Sequence, residues 1–342
     1  ASSERRVPDW SPGYQMTETF NVAVVGATGA VGETMLEILA ERRFPVDRVF
    51  ALASAQSAGK KVKFGSRMLT VTDLAVFDFS EARIGLFSAG GSISAEFAPK
   101  AAAAGCVVID NTSHFRYDDD IPLVVPEVNA ERIADFRKRN IIANPNCSTI
   151  QMLVALKPLH DAAEIERINV ATYQAVSGAG AAGVKELAGQ TANLLNAVPI
   201  EPEVMPVQIA FNAIPQIGEV LDNGYSKEEM KMVWETRKIF ASDSIQINPT
   251  CVRVPVFYGH SEAVHIETAR KLEAAEARRL LQRAPGVSVL DDPDNGGFPT
   301  AVGESAGTDP VFVGRSREDI SHPRGLNLWV VADNVRKGAA LN

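Results

Sequence analysis

The sequence predicts an α/β protein with an N-terminal domain built on a doubly wound parallel sheet and a C-terminal domain of the α+β class. Its 342 residues exceed one typical domain and are enough for two. Through the first half, short apolar strands alternate with helical segments, which is the pattern of a parallel sheet covered on both faces. The second half carries longer strands and two amphipathic helices, at residues 226–236 and 273–283.

The composition is that of an ordinary globular protein and excludes several classes of function. Hydrophobic residues make up 46% of the chain and charged residues 22%, so a sizeable core can form. The net charge of -8 at pH 7 offers no basic footprint for a nucleic acid. The three cysteines are widely spaced, so we expect no disulfide framework, no metal site and a reducing, cytoplasmic location. No apolar run approaches the length that crosses a bilayer, and no membrane partner is expected.

The first fifteen residues contain Pro8, Trp10, Pro12 and Gly13 without any periodicity. They lack the apolar core of a signal peptide, and Met16 stands just ahead of the first predicted strand. We therefore expect residues 1–15 to be a tag or a disordered leader.

The first predicted strand, residues 21–25, runs into a glycine turn and then an amphipathic helix through Leu39. Gly26 suits the tight turn, Gly29 lets the backbone approach a pyrophosphate, and Gly32 allows close packing of the helix. This strand–turn–helix context predicts a Rossmann-like dinucleotide site with the pyrophosphate at the helix N-terminus. The spacing is GxxGxxG and not GxGxxG, so a plain glycine-rich turn is the alternative.

The end of the second predicted strand, residues 48–53, indicates which dinucleotide would bind. An acidic residue usually meets the ribose of NAD at this point. Here residues 54–61 supply hydroxyl groups and two lysines but no acid, which favours the 2′-phosphate of NADP. A solvated polar turn is the alternative interpretation.

Two more strands of the first half, residues 83–87 and 107–113, place loops at the carboxyl edge of the sheet. Ligands of open α/β sheets bind at this edge. Arg116 follows the second of these strands and could reach an anion. The acidic run at 118–120 is predicted to be a solvated loop.

Cys147 lies between the predicted strand 141–143 and a helical pattern over 150–156. Ser148 or Thr149 could cap that helix, which puts the thiol at or just before a helix N-terminus. Unpaired N–H groups there would lower the pKa of the thiol and could hold an oxyanion. We therefore predict a nucleophilic cysteine, and the alternative is a buried structural thiol.

The second half offers further candidate side chains at the ends of its elements. Gln174 ends the strand predicted at 167–176, just before a glycine-rich break at 177–183. Ser226 and Glu229 form a capping-box pattern at the start of a helix. Glu228 and Lys231 share one face of that helix, where an ordinary surface pair is the alternative.

Arg253 and His260 are the next two candidate site residues along the chain. Arg253 lies inside an apolar strand pattern, where a charged residue normally has a partner or a ligand. His260 follows Gly259 at a strand's end and could serve as an acid or base, although a lone histidine is more often structural. A last strand at 326–332 then leads into a helix that starts near residue 333.

Together, residues 26–32, 144–149, 174–180 and 253–261 strongly resemble the aspartate-β-semialdehyde dehydrogenase family. The resemblance runs in order from about Phe20 to the C-terminus, and the set of motifs is what makes it specific. It implies NADP-dependent, phosphate-requiring interconversion of L-aspartate-4-semialdehyde and L-aspartyl-4-phosphate, a step toward lysine, methionine, threonine and diaminopimelate. It also implies a homodimer, with a tetramer in some relatives.

The resemblance implies a role for each matching position. Cys147 is similar to the acyl-accepting nucleophile, His260 to the general acid/base that titrates near neutrality, and Gln174 to the residue that orients the substrate. Arg253 and Glu228 match the pair that binds the substrate's α-carboxylate and α-amino group, and Arg116 and Lys231 match the cations that hold phosphate. The NADP-contacting positions are those of the glycine turn together with Thr28, Ala30, Val31, Gln56, Ser57, Ser177, Gly178 and Asn334.

On this basis we predict an NADP-binding domain over residues 16–148, to which residues 333–342 return, and a catalytic and dimerisation domain over 149–332. The chain departs from the family at Gln56, where many relatives have an arginine that contacts the adenosine phosphate. The family also usually completes a helix after the Asn334 segment, so the chain is expected to be shorter there. The alternatives are an N-acetyl-γ-glutamyl-phosphate reductase and a catalytically silent relative, which would be expected to lose Cys147, His260 or Arg253.

Overall fold

The computed structural model describes residues 18–292 and 294–342. The predicted leader and Met16 therefore lie outside the described residues. Within them, no helix combines the length and the apolar character needed to cross a membrane.

The strands of the described residues form two large sheets and one hairpin. In chain order they are β1 Phe20–Val25, β2 Val46–Ala53, β3 Lys61–Phe64, β4 Arg67–Thr70, β5 Thr72–Asp73, β6 Ile84–Phe87, β7 Val107–Asp110, β8 Ile141–Ala143, β9 Ile165–Gln174, β10 Gln246–Arg253, β11 His260–Thr268, β12 Val287–Val289, β13 Val311–Glu318 and β14 Gly325–Ala332. The α-helices are α1 Ala30–Glu41, α2 Gly91–Ala103, α3 Pro126–Asn129, α4 Cys147–Ala163, α5 Gly180–Leu195, α6 Lys227–Phe240 and α7 Ala274–Leu281.

The first sheet has six parallel strands in the order β5-β2-β1-β6-β7-β8. The chain moves outward from β1 to β2, then returns to the other side of β1 with β6, so the switch point lies between β1 and β6. The loops after these two strands meet there, because a Cβ on Gly26 would lie 3.0 Å from the Ala89 nitrogen. The predicted doubly wound parallel sheet is confirmed, with its ligand edge at the switch point.

The second sheet is mixed, with six strands in the order β10-β9-β11-β14-β13-β12. The pairs β9/β10 and β12/β13 are parallel and the other neighbours are antiparallel. Helices α4, α6 and α7 pack against this sheet. The predicted C-terminal α+β domain is therefore confirmed as a second layered unit.

Helix α4 joins the two domains. Its buried residues cover more than one face, including Ile150, Met152, Leu153 and Leu156, which is typical of a helix surrounded by protein. One continuous cluster of buried side chains runs from the first sheet through α4 into the second sheet. Because Cys147 is the first residue of α4, the thiol lies where the two domains meet.

Among the differences from the prediction, two concern whole segments of the fold. The strand predicted over 107–113 ends at Asp110, whose carboxylate accepts hydrogen bonds from Ser94 and Thr112 and turns the chain. The glycine-rich break leads into α5, which was not predicted. Alanine and glycine carry little helical pattern, yet Gly183 is needed there because a Cβ would lie 2.5 Å from the Val176 carbonyl.

Candidate active site

Cys147 follows β8 at the carboxyl edge of the parallel sheet, and Asn146 caps the helix that it begins. The Asn146 side-chain oxygen accepts the N–H of Ser148 at 3.0 Å and of Thr149 at 3.3 Å. The prediction that Ser148 or Thr149 caps the helix is wrong, because their backbone N–H groups are the donors that the cap satisfies.

This cap changes which donors an oxyanion could meet. The Ser148 and Thr149 N–H groups are occupied by Asn146, and the Ile150 N–H bonds to the Asn146 carbonyl. Among the described residues, the Cys147 N–H is the donor of the first turn that has no acceptor. An oxyanion at Cys147 would therefore have one backbone donor from this turn, and not the several that the sequence suggested.

The three cysteines differ in accessibility: Cys106 and Cys251 are buried, and Cys147 is partly exposed. Burial nevertheless raises the pKa of the Cys147 thiol to about 12, and the nearby Glu228 carboxylate raises this pKa further, against Lys231, Arg253 and Arg116. The expectation of a lowered thiol pKa is therefore wrong for the protein without ligands. Its resting form is the thiol.

Helix α6 places charged side chains beside the Cys147 turn. Glu228 accepts hydrogen bonds from the Asn146 amide and from the Lys231 ammonium, both at 2.8 Å. Burial would raise the pKa of Glu228, but Lys231 and the Asn146 bond outweigh it and lower this pKa to about 2. Because Glu228 is only 8% exposed, the alternative of an ordinary surface pair is wrong.

Arg116 reaches this cluster from the loop after β7. Its Nη1 donates to Glu235 at 2.9 Å, and its Nη2 donates to the Asn111 carbonyl at 3.1 Å. The Nε atom is buried and has no hydrogen-bond partner in the described part of the chain. The guanidinium is thus fixed in place with its Nε–H left without an acceptor, as an anion site requires.

Arg253 ends β10 and His260 begins β11, and the peptide groups of Ala175 hold both side chains. The Ala175 carbonyl accepts from Arg253 Nη1 at 2.7 Å, and the Ala175 N–H donates to His260 Nδ1 at 3.0 Å. The prediction that His260 lies at the end of a strand is therefore wrong, because His260 is the first residue of the following strand, β11. Both side chains are almost fully buried.

The Ala175 bond decides which nitrogen of His260 carries the proton. Since Nδ1 accepts an N–H, the neutral ring has its proton on Nε2. Burial, and then the Arg253 charge, lower the pKa of His260 to about 3. The expectation of a group titrating near neutrality is wrong for the protein without ligands. The Nε2 atom is buried without a partner among the described residues, so it is a donor awaiting an acceptor.

Gln174 ends β9 and is 1% exposed, so it is not the surface residue that a mid-chain glutamine usually is. Its amide nitrogen donates to Ser148 Oγ at 3.0 Å and to Thr172 Oγ1 at 3.2 Å. These bonds tie the second sheet to the first turn of α4, directly beside the thiol.

The glycine turn after β1 has the shape of a nucleotide cradle. Gly26 has φ of 87°, and a Cβ on Gly32 would overlap the Gly26 carbonyl, so both positions require glycine. Gly29 precedes α1 and supplies no side-chain cap, which leaves the start of the helix open to an anion. Gln56 lies on an exposed turn after β2, where the Ser57 hydroxyl accepts from Lys60 at 3.2 Å.

The chain returns after β14 and covers the thiol. The Asn334 amide nitrogen donates to Ser177 Oγ at 3.0 Å, and its oxygen accepts the Gly259 N–H at 2.9 Å. A Cβ on Gly338 would lie 2.7 Å from the Cys147 Cβ. The structure thus brings Ser177 and Asn334 together, and the predicted contact of both with NADP stays a prediction.

The structure also shows residues that the sequence reasoning missed. Asn146 and Glu235 both contact the elements that carry the predicted site, and neither was singled out. Glu235 is seven residues after Glu228 and four after Lys231, so a helical-face pattern was the available signal. Among residues 18–292 and 294–342, no group of three or more His, Cys, Asp or Glu side chains could hold a metal ion.

Comparison with known proteins agrees with this arrangement. Residues 21–136 match the family model described as semialdehyde dehydrogenase, NAD binding domain, and residues 156–337 match semialdehyde dehydrogenase, dimerisation domain. The aspartate-semialdehyde dehydrogenase of Shewanella sp. (strain DB6705) is 63% identical over 327 residues, which cover 96% of each chain.

Solved structures give the same result. The crystal structure of aspartate semialdehyde dehydrogenase II complexed with ASA from Vibrio cholerae matches with a TM-score of 0.93 at 64% identity, covering 95% of this chain and 96% of that one. An aspartate semialdehyde dehydrogenase with NADP from Candida albicans shares the fold, with a TM-score of 0.72 at 24% identity over 94% of this chain and 96% of that one. The chain therefore belongs to the aspartate-semialdehyde dehydrogenase family of oxidoreductases, which act in amino-acid biosynthesis.

Proposed function

We propose that this chain interconverts L-aspartate-4-semialdehyde and L-aspartyl-4-phosphate with NADP and inorganic phosphate, through a thioester on Cys147. The observation that carries the proposal is the position of Cys147. It is the first residue of α4, it lies at the carboxyl edge of the parallel sheet, and the charges of Glu228, Arg253 and Arg116 surround it. The reaction would serve lysine, methionine, threonine and diaminopimelate biosynthesis in the cytoplasm.

The charges beside the thiol suit an amino-acid aldehyde. Glu228 is an ionised carboxylate with a lowered pKa, and it would bind the substrate's ammonium group. The Arg253 guanidinium would bind the α-carboxylate while its Nη1 stays on the Ala175 carbonyl. An ammonium on Glu228 would also offset the charge that raises the thiol pKa. These groups favour a free amine over the N-acylated substrate of the alternative reductase.

The positions of the protons at the site support a role for His260 as a hydrogen-bond donor to the substrate. When the sulfur attacks the aldehyde carbon, an S–C bond forms and the thiol proton is passed to the carbonyl oxygen. His260 Nε2–H would hydrogen-bond that oxygen, and the Cys147 N–H would assist. As the thioester forms, the former aldehyde C–H bond would break, its hydride would pass to the bound cofactor, and the oxygen would release its proton to solvent, with His260 Nε2–H remaining the hydrogen-bond donor to that oxygen. Gln174 would orient the thioacyl group through its bond to Ser148.

The second half of the reaction would use phosphate held by Arg116 and Lys231. A phosphate oxygen forms a bond to the thioester carbon, the C–S bond breaks, and the phosphate's proton ends on the sulfur. The acyl phosphate then leaves and Cys147 returns to the thiol. The buried, unpartnered Nε of Arg116 supports this assignment, because it is a charged donor without an acceptor in the described residues.

The cofactor site fits a dinucleotide. Gly26 and Gly32 allow the close packing of the turn against its neighbours, and Gly29 leaves the start of α1 without a side-chain cap where a pyrophosphate would bind, beside residues 28, 30 and 31. When bound, NADP would supply the hydride acceptor. Ser57, Gln56 and Lys60 would meet the adenosine end, where the absence of an acid favours the 2′-phosphate. A second copy of the chain is the proposed partner, since residues 156–337 match a dimerisation domain.

The direct test is reduction of NADP⁺ or NAD⁺ with L-aspartate semialdehyde, followed with and without phosphate. We expect steady turnover only with phosphate and NADP⁺, and a single burst of about one reduced cofactor per site when phosphate is omitted. Turnover on the N-acetylated, longer semialdehyde in place of the free amino acid would support the alternative reductase. Cofactor binding without any oxidation of either aldehyde would support a silent relative.

Substituting Gly178 by alanine should impair the reaction without touching the sulfur. A Cβ there would lie 2.6 Å from Arg253 Nη1, so this guanidinium must shift, and 3.5 Å from the His260 ring, which is an ordinary contact. We expect kcat/KM for the semialdehyde to fall on the order of 100-fold, since small displacements of positioning groups have effects of this size.

The matched control is Gly189→Ala on α5, where a Cβ would meet nothing within 4 Å. It should keep full activity and gain up to about 1 kcal/mol of stability. If Gly178→Ala instead changed only the KM for NADP, Gly178 would act solely through the cofactor.

A further inference from the structure

Glu235 is a fully buried carboxylate that the proposed chemistry does not use. Its Oε1 accepts from Arg116 Nη1 at 2.9 Å, and its Oε2 accepts from the backbone N–H of Asn146 at 2.6 Å. One carboxylate therefore spans from the arginine of the anion site to the residue directly before Cys147.

Helix α6 holds the Arg116 loop by a second contact. The Lys238 ammonium, less than one turn beyond Glu235, donates to the carbonyls of Arg116 at 2.9 Å, Asp118 at 2.6 Å and Ile121 at 3.0 Å. The loop is thus held through its backbone by Lys238 and through the Arg116 side chain by Glu235. Both contacts come from the same helix that carries Glu228 and Lys231.

The burial of this ion pair makes its geometry rigid. The Arg116 and Glu235 side chains are 7% and 0% exposed. Removing one partner of such a pair leaves an uncompensated buried charge, so the two groups strongly favour remaining together. With Nη1 on Glu235 and Nη2 on Asn111, the Arg116 Nε–H stays without an acceptor in the described residues.

We propose that Glu235 is a positioning residue that keeps the phosphate-binding Arg116 and the Cys147 turn in one fixed register. The proposal rests on the function proposed above. Its consequence is that the attacking phosphate oxygen and the thioester carbon are aligned by a single carboxylate. The phosphate oxygen forms its bond to that carbon as the C–S bond breaks, and the proton of the phosphate moves to the sulfur.

The test separates the two half-reactions in Glu235→Gln. The burst of NADPH without phosphate measures the rate at which the thioester forms. The rate at which the thioester is then consumed, at rising phosphate concentration, measures the second step. Glutamine can accept only one of the two bonds, so we expect both steps to slow, the phosphate step on the order of 10- to 100-fold at saturation. The KM for phosphate should not rise, because a negative charge beside Arg116 is removed.

The matched control is Glu229→Gln, which makes the same change at a buried carboxylate of the same helix. Glu229 holds the N–H groups of Ser226 and Cys251 and none of the groups of the site. It should lower the thermal midpoint and leave both half-reactions as in the wild type. A general loosening of α6 would instead slow both variants alike.

Wild-type limiting rates in Glu235→Gln, or a lower rate that comes only with a raised phosphate KM, would overturn the proposal. If Glu235→Gln does not fold, Glu235→Asp is measured in its place. The shorter carboxylate keeps the charge beside Arg116 but cannot reach both Arg116 Nη1 and the Asn146 N–H, so an unchanged phosphate step would contradict the coupling. A wild type without burst or phosphate dependence would refute the proposed function itself.

Discussion

Replacing Cys147 by serine is expected to reduce the oxidation of L-aspartate semialdehyde on the order of 1,000-fold or more. This corresponds to about 4 kcal/mol of lost transition-state stabilisation. The serine hydroxyl fits the same space at the start of α4, but it is a much weaker nucleophile at its free pKa. His260 cannot compensate as a base, because its Nδ1 is held by the Ala175 N–H and its Nε2 carries the proton.

The measurement is the burst of NADPH per active site in the absence of phosphate, which Cys147→Ser should lose. Cys106→Ser is the matched control, because Cys106 is a buried thiol in the first domain. It should lower stability and keep the burst. A Cys147→Ser protein with the wild-type burst would exclude a thioester at this position.

Replacing Arg253 by lysine is expected to lower kcat/KM for the semialdehyde about 100- to 1,000-fold, mainly through KM. The Arg253 guanidinium must bond the Ala175 carbonyl and the substrate carboxylate at once, and a lysine ammonium lacks this planar fork. Loss of one partner of a buried, hydrogen-bonded charge pair costs about 2–5 kcal/mol. Movement of the Ala175 peptide would also release His260, so kcat should fall as well.

Steady-state kinetics with varied semialdehyde at saturating NADP⁺ and phosphate measure this effect. Arg137→Lys makes the same change at an exposed position of the 3₁₀ helix Ala130–Lys138 and should leave every constant as in the wild type. A kcat/KM within about threefold of the wild type in Arg253→Lys would show that the α-carboxylate is bound elsewhere.

The fold could be predicted wherever burial leaves a pattern in a few consecutive residues. Strands β1, β6 and β8 are buried in the parallel sheet and read as continuous apolar runs. The capping box at Ser226 and Glu229 is likewise local, and the structure confirms both of its bonds. Helix α5 has no such pattern, because its first turn is glycine and alanine. Contacts such as that of Gln190 with the Ile209 and Ala210 N–H groups hold it in place.

For the candidate site, the sequence indicated which residues to consider but not their protonation states. Cys147, Arg116, Glu228, Lys231 and Arg253 were named from the sequence, and the structure places their charges around one thiol. Their protonation could not be read in this way. The raised pKa of Cys147 and the lowered pKa of His260 both follow from burial, which depends on how two domains close over α4.

The sequence by itself determined the two-domain architecture, the glycine cradle and the placement of Cys147 at a strand–helix junction, because each depends on neighbouring residues. Only the tertiary structure decided that Asn146 caps α4, that His260 carries its proton on Nε2, and that Glu235 joins Arg116 to Asn146. Glu235 lies 119 residues from Arg116 and 89 from Asn146 along the chain. Pairings at such separations leave no periodic signal, since they form only when the hydrophobic core brings distant elements together.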